Sequence, residues 1–207
     1  MSNKNLSADT RGSTAAEVNT YWEFKSKPRN DVLLATAIVE VQNKSGPYVP
    51  CRALLDSGSQ SSFITDRCVQ CLRLSRTQTH ASVHSVSNVS TAIQHSFSVQ
   101  LNSRHTDWHT TLDYAILSNI TGTTPTSKLG TSSWMLPRNI KFAEKQFDQP
   151  GGIDLLRGAD LFYELPRPCR STCPGNYPFL QETALGWTVC GQTPATTQNG
   201  SQYTFLS

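Results

Sequence analysis

Two apolar segments, the second of which leads into a small polar loop, constrain the fold of this chain most strongly. Residues 32–41 are rich in β-branched side chains and almost continuously apolar, which is typical of a buried strand. Residues 44–47 have turn chemistry, so residues 48–55 are predicted to return as the second strand of a hairpin. That strand leads directly into a loop of small residues, 56–62, which begins Asp-Ser-Gly. The sequence therefore predicts a carboxylate at the end of a buried strand.

The rest of the chain predicts an all-β domain with one or two short helices. An amphipathic helix is predicted over 63–74. An apolar strand is predicted from residue 153, ending in Gly158 before a possible helical turn. Further strands are predicted over 81–86, 91–101, 108–117, 179–183 and 185–191, and irregular chain over 118–133 and 166–178.

Length sets the domain organisation. A chain of 207 residues is predicted to form one domain, over 32–191, and is too short for two duplicated lobes. If the chemistry needs two equivalent halves, the second must come from another chain. Residues 1–31 are polar and short of aliphatic side chains, which cannot offset chain entropy by burial, so they predict a disordered lead-in. Residues 192–207 predict a flexible tail.

Charge and hydropathy give expectations about partners and location. The chain has 18 Lys and Arg against 15 Asp and Glu, a net charge of +3, which is too small to predict nucleic acid or a membrane as a partner. No apolar run approaches the roughly 18 residues of a transmembrane helix. The segment 1–7 lacks the apolar core of a secretory signal. We therefore expect an intracellular protein whose six cysteines are free thiols.

The Asp-Ser-Gly loop is the strongest candidate for chemistry. The tripeptide alone is common in turns, but here an apolar strand, 53–55, leads directly to the aspartate. Gly58 lets the backbone approach a substrate or a symmetry mate, and Ser57 can hydrogen-bond to the neighbouring backbone. Two such loops that faced each other would bring two carboxylates into contact, and these would share one proton. One Asp56 would then activate a water as a general base while its protonated partner polarised a carbonyl.

Three segments in this order resemble a known family. Residues 53–64 (ALLDSGSQSSFI), 153–162 (IDLLRGADLF) and 180–191 (LQETALGWTVCG) are similar to the retropepsin-type aspartic protease domain of BEL/Pao-type retrotransposon polyproteins. The resemblance spans about residues 32–191. It implies a closed acid-protease barrel that is active as a homodimer, cuts extended polypeptide such as the element's own polyprotein, and needs no metal or cofactor. It also implies a location in the cytoplasm or in a retroelement particle.

The resemblance assigns residue roles. Asp56 corresponds to the catalytic aspartate, Ser57 to the hydroxyl that locks the loop, and Gly58 to the glycine of the loop. Leu156 to Gly158 corresponds to the strand that packs behind the loop. The segment 83–93 corresponds to the flap that covers the substrate, with its tip at Val86, Ser87 and Asn88.

Two departures from the family pattern keep a non-enzymatic alternative open. The family has an apolar residue before Gly158, where this chain has Arg157, and burial of an unpaired charge is costly. The flap tip has no glycine, and Asn88 is the best available residue there for a positive φ. The alternative is a retropepsin-like fold that has lost catalysis and is retained as a dimerisation or peptide-binding module.

Other polar clusters have structural interpretations. Asp154 and Asp160 are expected to make local hydrogen bonds rather than to supply the partner carboxylate. The pairs Cys68/Cys71 and Cys169/Cys173 suggest a third class, a zinc-dependent nucleic-acid binder. Their separation of about a hundred residues is far outside usual zinc spacings, so no metal site is predicted.

Overall fold

Six strands close into a β-barrel, and a second sheet packs beside it. The computed structural model describes residues 32–84, 90–173 and 178–193, with 48% of residues in strands and 7% in helices. The elements are β1 (Val32–Leu33), β2 (Thr36–Gln42), β3 (Tyr48–Leu55), β4 (Phe63–Thr65), α1 (Asp66–Leu72), β5 (Thr77–His84), β6 (Ser90–Asn102), β7 (His109–Leu117), β8 (Leu155–Arg157), α2 (Ala159–Phe162), β9 (Pro166–Thr172), β10 (Phe179–Thr183) and β11 (Gly186–Gln192). The prediction of an all-β fold with a closed barrel and one or two short helices is confirmed for the described residues, which contain two helices.

The barrel follows the strand order β2-β3-β8-β4-β7-β6, and pairing of β6 with β2 closes it. Glu40 lies opposite Asn102 and Val41 opposite Leu101 at this closure. Strand β5 extends the sheet beyond β6 as a hairpin partner. The interior is filled by apolar side chains from all parts of the ring, among them Val39, Ala53, Ile64, Val99 and Leu155. Closure removes the exposed edges that β2 and β6 would otherwise present.

The second sheet has the order β1-β11-β10-β9. Leu33, Leu180 and Val189 lie on its buried face. They pack against side chains of the long connection between β7 and β8, namely Leu129, Trp134 and Phe147. The sheet and this connection therefore form a satellite core beside the barrel.

Three predicted elements differ from the structure. Residues 32–41 form two strands, because the chain leaves β1, which pairs with β11, and enters β2 in the barrel. Residues 63–65 are a buried strand rather than the first helical turn, because Thr65 caps α1 by accepting the Cys68 N–H and so starts the helix at Asp66. Residues 166–172 were predicted to be irregular, which is wrong: they form β9, an edge strand, where proline is tolerated.

The predicted ends of the domain fall mostly outside the described residues. The lead-in 1–31 lies wholly outside them, as does the tail from 194 onward. Gln192 belongs to β11 and pairs with Val32, so the last strand runs one residue past the predicted boundary at 191. Within the described ranges, no helix has both the length and the apolar character that a membrane span requires.

A buried ion pair fastens the long β7–β8 connection to the barrel. The Nε of Arg52 on β3 lies 2.8 Å from Glu144 Oε1, and both side chains are buried. Arg52 Nη1 also donates to the Thr124 carbonyl at 2.6 Å. Gly151 passes so close to this guanidinium that a Cβ there would lie 2.7 Å from Nη1. The connection, predicted as a loop over 118–133, is therefore ordered without regular strands up to β8.

Strand β8 determines the surroundings of the Asp56 loop. It pairs in parallel with β3, with Leu54 opposite Leu156, and antiparallel with β4, with Phe63 opposite Leu156. The chain thus leaves β3, makes the 56–62 loop, and returns as β4 with β8 inserted between the two. Gly158 follows β8 directly beneath the loop, and a Cβ on it would lie 2.5 Å from the Ser61 carbonyl oxygen and 2.8 Å from that of Ser59.

Because both of these contacts are to backbone atoms, we expect Gly158→Ala to lower the free energy of unfolding by about 3 kcal/mol. Urea denaturation of the full chain measures this change. Gly152→Ala is the matched control, because a Cβ at Gly152 meets nothing within 4 Å. Equal stability of the two variants would contradict the packing of Gly158 against the loop.

Candidate active site

Asp56 lies at the point where β3 leaves the barrel, and its side chain is half-buried. Its backbone N–H donates to the Arg157 carbonyl at 2.9 Å, which continues the ladder between β3 and β8 by one residue. Its Oδ1 accepts the Gly58 N–H at 2.9 Å. Main chain and carboxylate are therefore both fixed, while part of the side chain is open to solvent.

The two residues after Asp56 are exposed. A Cβ on Gly58 would lie 3.2 Å from Asp56 Oδ1, so the absence of a side chain leaves room for the short turn around the carboxylate. Within the described part of this single chain, the Ser57 hydroxyl makes no hydrogen bond, whereas the Ser59 hydroxyl donates to the Ser61 carbonyl at 2.8 Å.

The far side of the loop is held by the start of α2. The Ser62 hydroxyl accepts the Gly158 N–H at 3.1 Å and donates to the Asp160 carboxylate at 3.1 Å. The Ala159 N–H donates to the Ser59 carbonyl at 2.7 Å. Asp160 also accepts the N–H of Leu161, so its carboxylate joins the loop to the helix. The structural interpretation of Asp160 fits this geometry, whereas Ser62 was not singled out from the sequence.

Asp154 belongs to a different part of the barrel. Its Oδ2 accepts the Arg52 N–H at 2.9 Å, and its own N–H donates to the Arg52 carbonyl. Arg52 lies four residues before Asp56 on β3. Asp154 therefore pairs with the middle of this strand, whereas Asp56 follows its end.

Arg157 is fully buried behind the loop, with 1% of its surface exposed. Its Nη1 donates to the Tyr114 hydroxyl, and its guanidinium carbon lies 5.3 Å from the centre of the Tyr114 ring. Burial raises the pKa of the Tyr114 hydroxyl, which is therefore neutral and supplies no counter-charge. Nε and Nη2 of Arg157 have no hydrogen-bond partner among the described residues. Among the described residues, the Tyr114 hydroxyl and ring contact this buried charge, and no carboxylate pairs with it.

The predicted flap residues Val86, Ser87 and Asn88 lie outside the described residues. The strands on either side of them are described: β5 and β6 pair antiparallel, with Val83 opposite Thr91 and His84 opposite Ser90. The described ends of the predicted flap segment, residues 83–84 and 90–93, therefore belong to two antiparallel strands.

The cysteines are distributed over several elements of the described chain. In the described parts of the chain, no three or more His, Cys, Asp or Glu side chains lie close enough together to hold a metal ion. Cys68 and Cys173 are buried, whereas Cys71 and Cys169 are exposed.

Comparison of the sequence with protein-family models found no match, and comparison with curated proteins found no significant one. The interpretation of the site therefore depends on its geometry and on the motif resemblance.

The unpaired charge of Arg157 generates a stability prediction. We expect the double variant Arg157→Met with Tyr114→Phe to be more stable than the wild type by about 1–4 kcal/mol, because both buried polar groups are replaced by apolar ones of similar size. Urea denaturation is the measurement. Arg52→Met is the matched control, since Arg52 is a buried arginine that pairs with Glu144. Its loss leaves the buried Glu144 carboxylate without this ion pair. That control should lose about 3–5 kcal/mol; a comparable loss in the double variant would contradict the account of Arg157.

Proposed function

We propose that this chain is one half of an aspartic endopeptidase, a homodimer resembling the retropepsin-type domain of BEL/Pao-type retrotransposon polyproteins. The observation that carries the proposal is the insertion of β8 between β3 and β4, with Gly158 packed directly against the Asp56 loop. This arrangement holds a carboxylate at the mouth of a closed barrel on a loop that is fixed from behind. The order of the three motifs in the sequence supports the same assignment.

In this proposal one chain supplies half of the active site. The sequence contains a single Asp-Ser-Gly, and its aspartate is held by backbone groups of its own loop. A two-fold axis at the exposed face of Ser57 and Gly58 would bring two Asp56 carboxylates into contact. At that distance the pair would hold one proton between them, since two like charges cannot both ionise there.

The proposed reaction is peptide-bond hydrolysis through a tetrahedral intermediate. The ionised Asp56 takes a proton from a water whose oxygen attacks the peptide carbonyl carbon. The protonated Asp56 of the partner chain donates a hydrogen bond and then its proton to the carbonyl oxygen. The carbon–nitrogen bond breaks as the nitrogen is protonated, giving a carboxyl product and an amine product. No metal, cofactor or covalent intermediate takes part.

The substrate in this proposal is extended polypeptide, such as a retroelement polyprotein. The β5–β6 hairpin projects from the barrel sheet, and a polypeptide would lie between it and the two Asp56 loops. The substrate would bind as an extended strand through its backbone hydrogen bonds, so it must be an unfolded segment of polypeptide.

The alternative is a dimerisation or peptide-binding module with the same fold but no turnover. The buried charge of Arg157 favours it, because Arg157 is the neighbour of Gly158 and its carbonyl accepts the Asp56 N–H. A buried charge on the strand behind the loop would weaken the placement of the carboxylate without abolishing the fold.

Peptide cleavage distinguishes the two functions. We expect the full chain to sediment as a dimer and to cleave an unstructured peptide best at mildly acidic pH, where one carboxylate of the pair is protonated and the other ionised. Asp56→Asn should abolish cleavage while leaving the circular dichroism spectrum unchanged. Asp107→Asn, at an exposed turn before β7, is the matched control and should cleave normally.

Cleavage that survived Asp56→Asn would refute the assignment of the catalytic residue. Peptide binding without turnover, unaffected by Asp56→Asn, would establish the alternative.

A further inference from the structure

Two buried thiols meet in the barrel core, one on β3 and one on α1. Cys51 lies on β3, five residues before Asp56, and Cys68 lies in the first turn of α1. Their sulfur atoms are 3.6 Å apart, and the two residues are only 3% and 4% exposed. At this distance the sulfurs are in direct contact, and neither the fold nor the proposed hydrolysis requires a thiol at either position.

The contact is set by the backbone of two well-anchored elements. Cys51 pairs with Val39 in the β2–β3 ladder. Cys68 donates its N–H to Thr65 Oγ1 at the start of α1, and the face of the helix that carries Cys68 and Leu72 packs into the barrel core. Cys71, three residues further along the helix, is exposed. Both sulfurs therefore point into the same space between the helix and the barrel.

We infer that Cys51 and Cys68 are a redox-active pair that a small disulfide, such as oxidised glutathione, converts into an intramolecular disulfide. The bond length of a disulfide is about 2.05 Å, so the sulfurs must approach by about 1.5 Å, which rotation about the two Cα–Cβ bonds supplies. No part of the barrel has to be rebuilt for this approach.

The exchange balances with glutathione as the only co-reactant. The Cys68 thiol loses a proton, and its sulfur attacks one sulfur of oxidised glutathione, which breaks the S–S bond and releases one glutathione thiolate. The Cys51 sulfur then attacks Cys68 Sγ, forms the protein disulfide and displaces the second glutathione. Two protein thiols are oxidised, and one glutathione disulfide is reduced to two thiols.

The order of attack follows from the positions of the two thiols. Cys68 is on a helix of seven residues that also carries exposed side chains, whereas Cys51 is inside the barrel wall. Contact with the Cys68 thiol and burial raise the pKa of the Cys51 thiol, so Cys51 forms the thiolate less readily. Local opening of α1 exposes Cys68 to the oxidant, so the reaction is slower than that of an exposed thiol.

Disulfide formation would restrain the candidate active site. The bridge closes a segment that contains the whole 56–62 loop and β4, and it joins β3 on one side of this segment to α1 on the other. A cross-link around a loop of this length stabilises a domain of this size by raising Tm by about 5–10 °C. The oxidised chain therefore differs from the reduced one in its thermal stability.

The test uses the full chain, folded and reduced, incubated with oxidised glutathione and then alkylated in denaturant. Peptide mapping should show Cys51 joined to Cys68, with neither of them alkylated, and the oxidised protein should have the higher Tm. Mixed disulfides of glutathione with the exposed Cys71 and Cys169 show that the oxidant is active. Cys71→Ser should form the same bridge, whereas Cys51→Ser and Cys68→Ser should not.

The peptide map of the wild-type chain alone decides whether Cys51 and Cys68 form a disulfide, whether or not these variants fold. Cys51 and Cys68 that were still reduced after Cys71 and Cys169 had reacted fully would overturn the inference. So would a map that joined either cysteine to a different one. A linked protein with an unchanged or lower Tm would overturn the proposed stabilisation by the bridge.

Discussion

The candidate site depends on the placement of one three-residue strand, β8, between the two strands that flank the Asp56 loop. Because β8 is paired on both edges, the loop must cross over its end, and this crossing leaves no space for a side chain at Gly158. The Asp56 N–H extends the β3–β8 ladder, and the Ser62 hydroxyl receives the Gly158 N–H on the other side. Both ends of the loop are thus fixed by the same short strand.

Parts of this arrangement were predictable from the sequence because their signals are local. The apolar run before Asp56 and the apolar segment that ends at Gly158 are each visible within about ten residues. The strand β9 was missed because prolines such as Pro166 and Pro168 are typical of loops. The two prolines are tolerated in β9 because it is an edge strand. Phe63 fits a helical pattern as well as a strand, and the cap at Thr65 decides between them.

The contacts that were not predicted from the sequence arise from long-range packing. Arg157 and Tyr114 are 43 residues apart, and Cys51 and Cys68 belong to different elements. No local sequence pattern therefore predicts either contact. An arginine before Gly158 was visible in the sequence, but its complete burial against a neutral phenol was not. The same strand therefore holds the carboxylate in place and carries a buried arginine that has no carboxylate partner among the described residues.

The central claim is that two copies of this chain share one active site through their Asp56 loops. Subunit mixing tests it most directly: wild-type chain is equilibrated with an equal amount of the Asp56→Asn chain, and peptide cleavage is compared with that of the same amount of wild type alone. If each site needs one Asp56 from each chain, mixed dimers are inactive and the activity falls to about half. Activity that remained proportional to the wild-type chain, with mixed dimers present, would contradict the shared site.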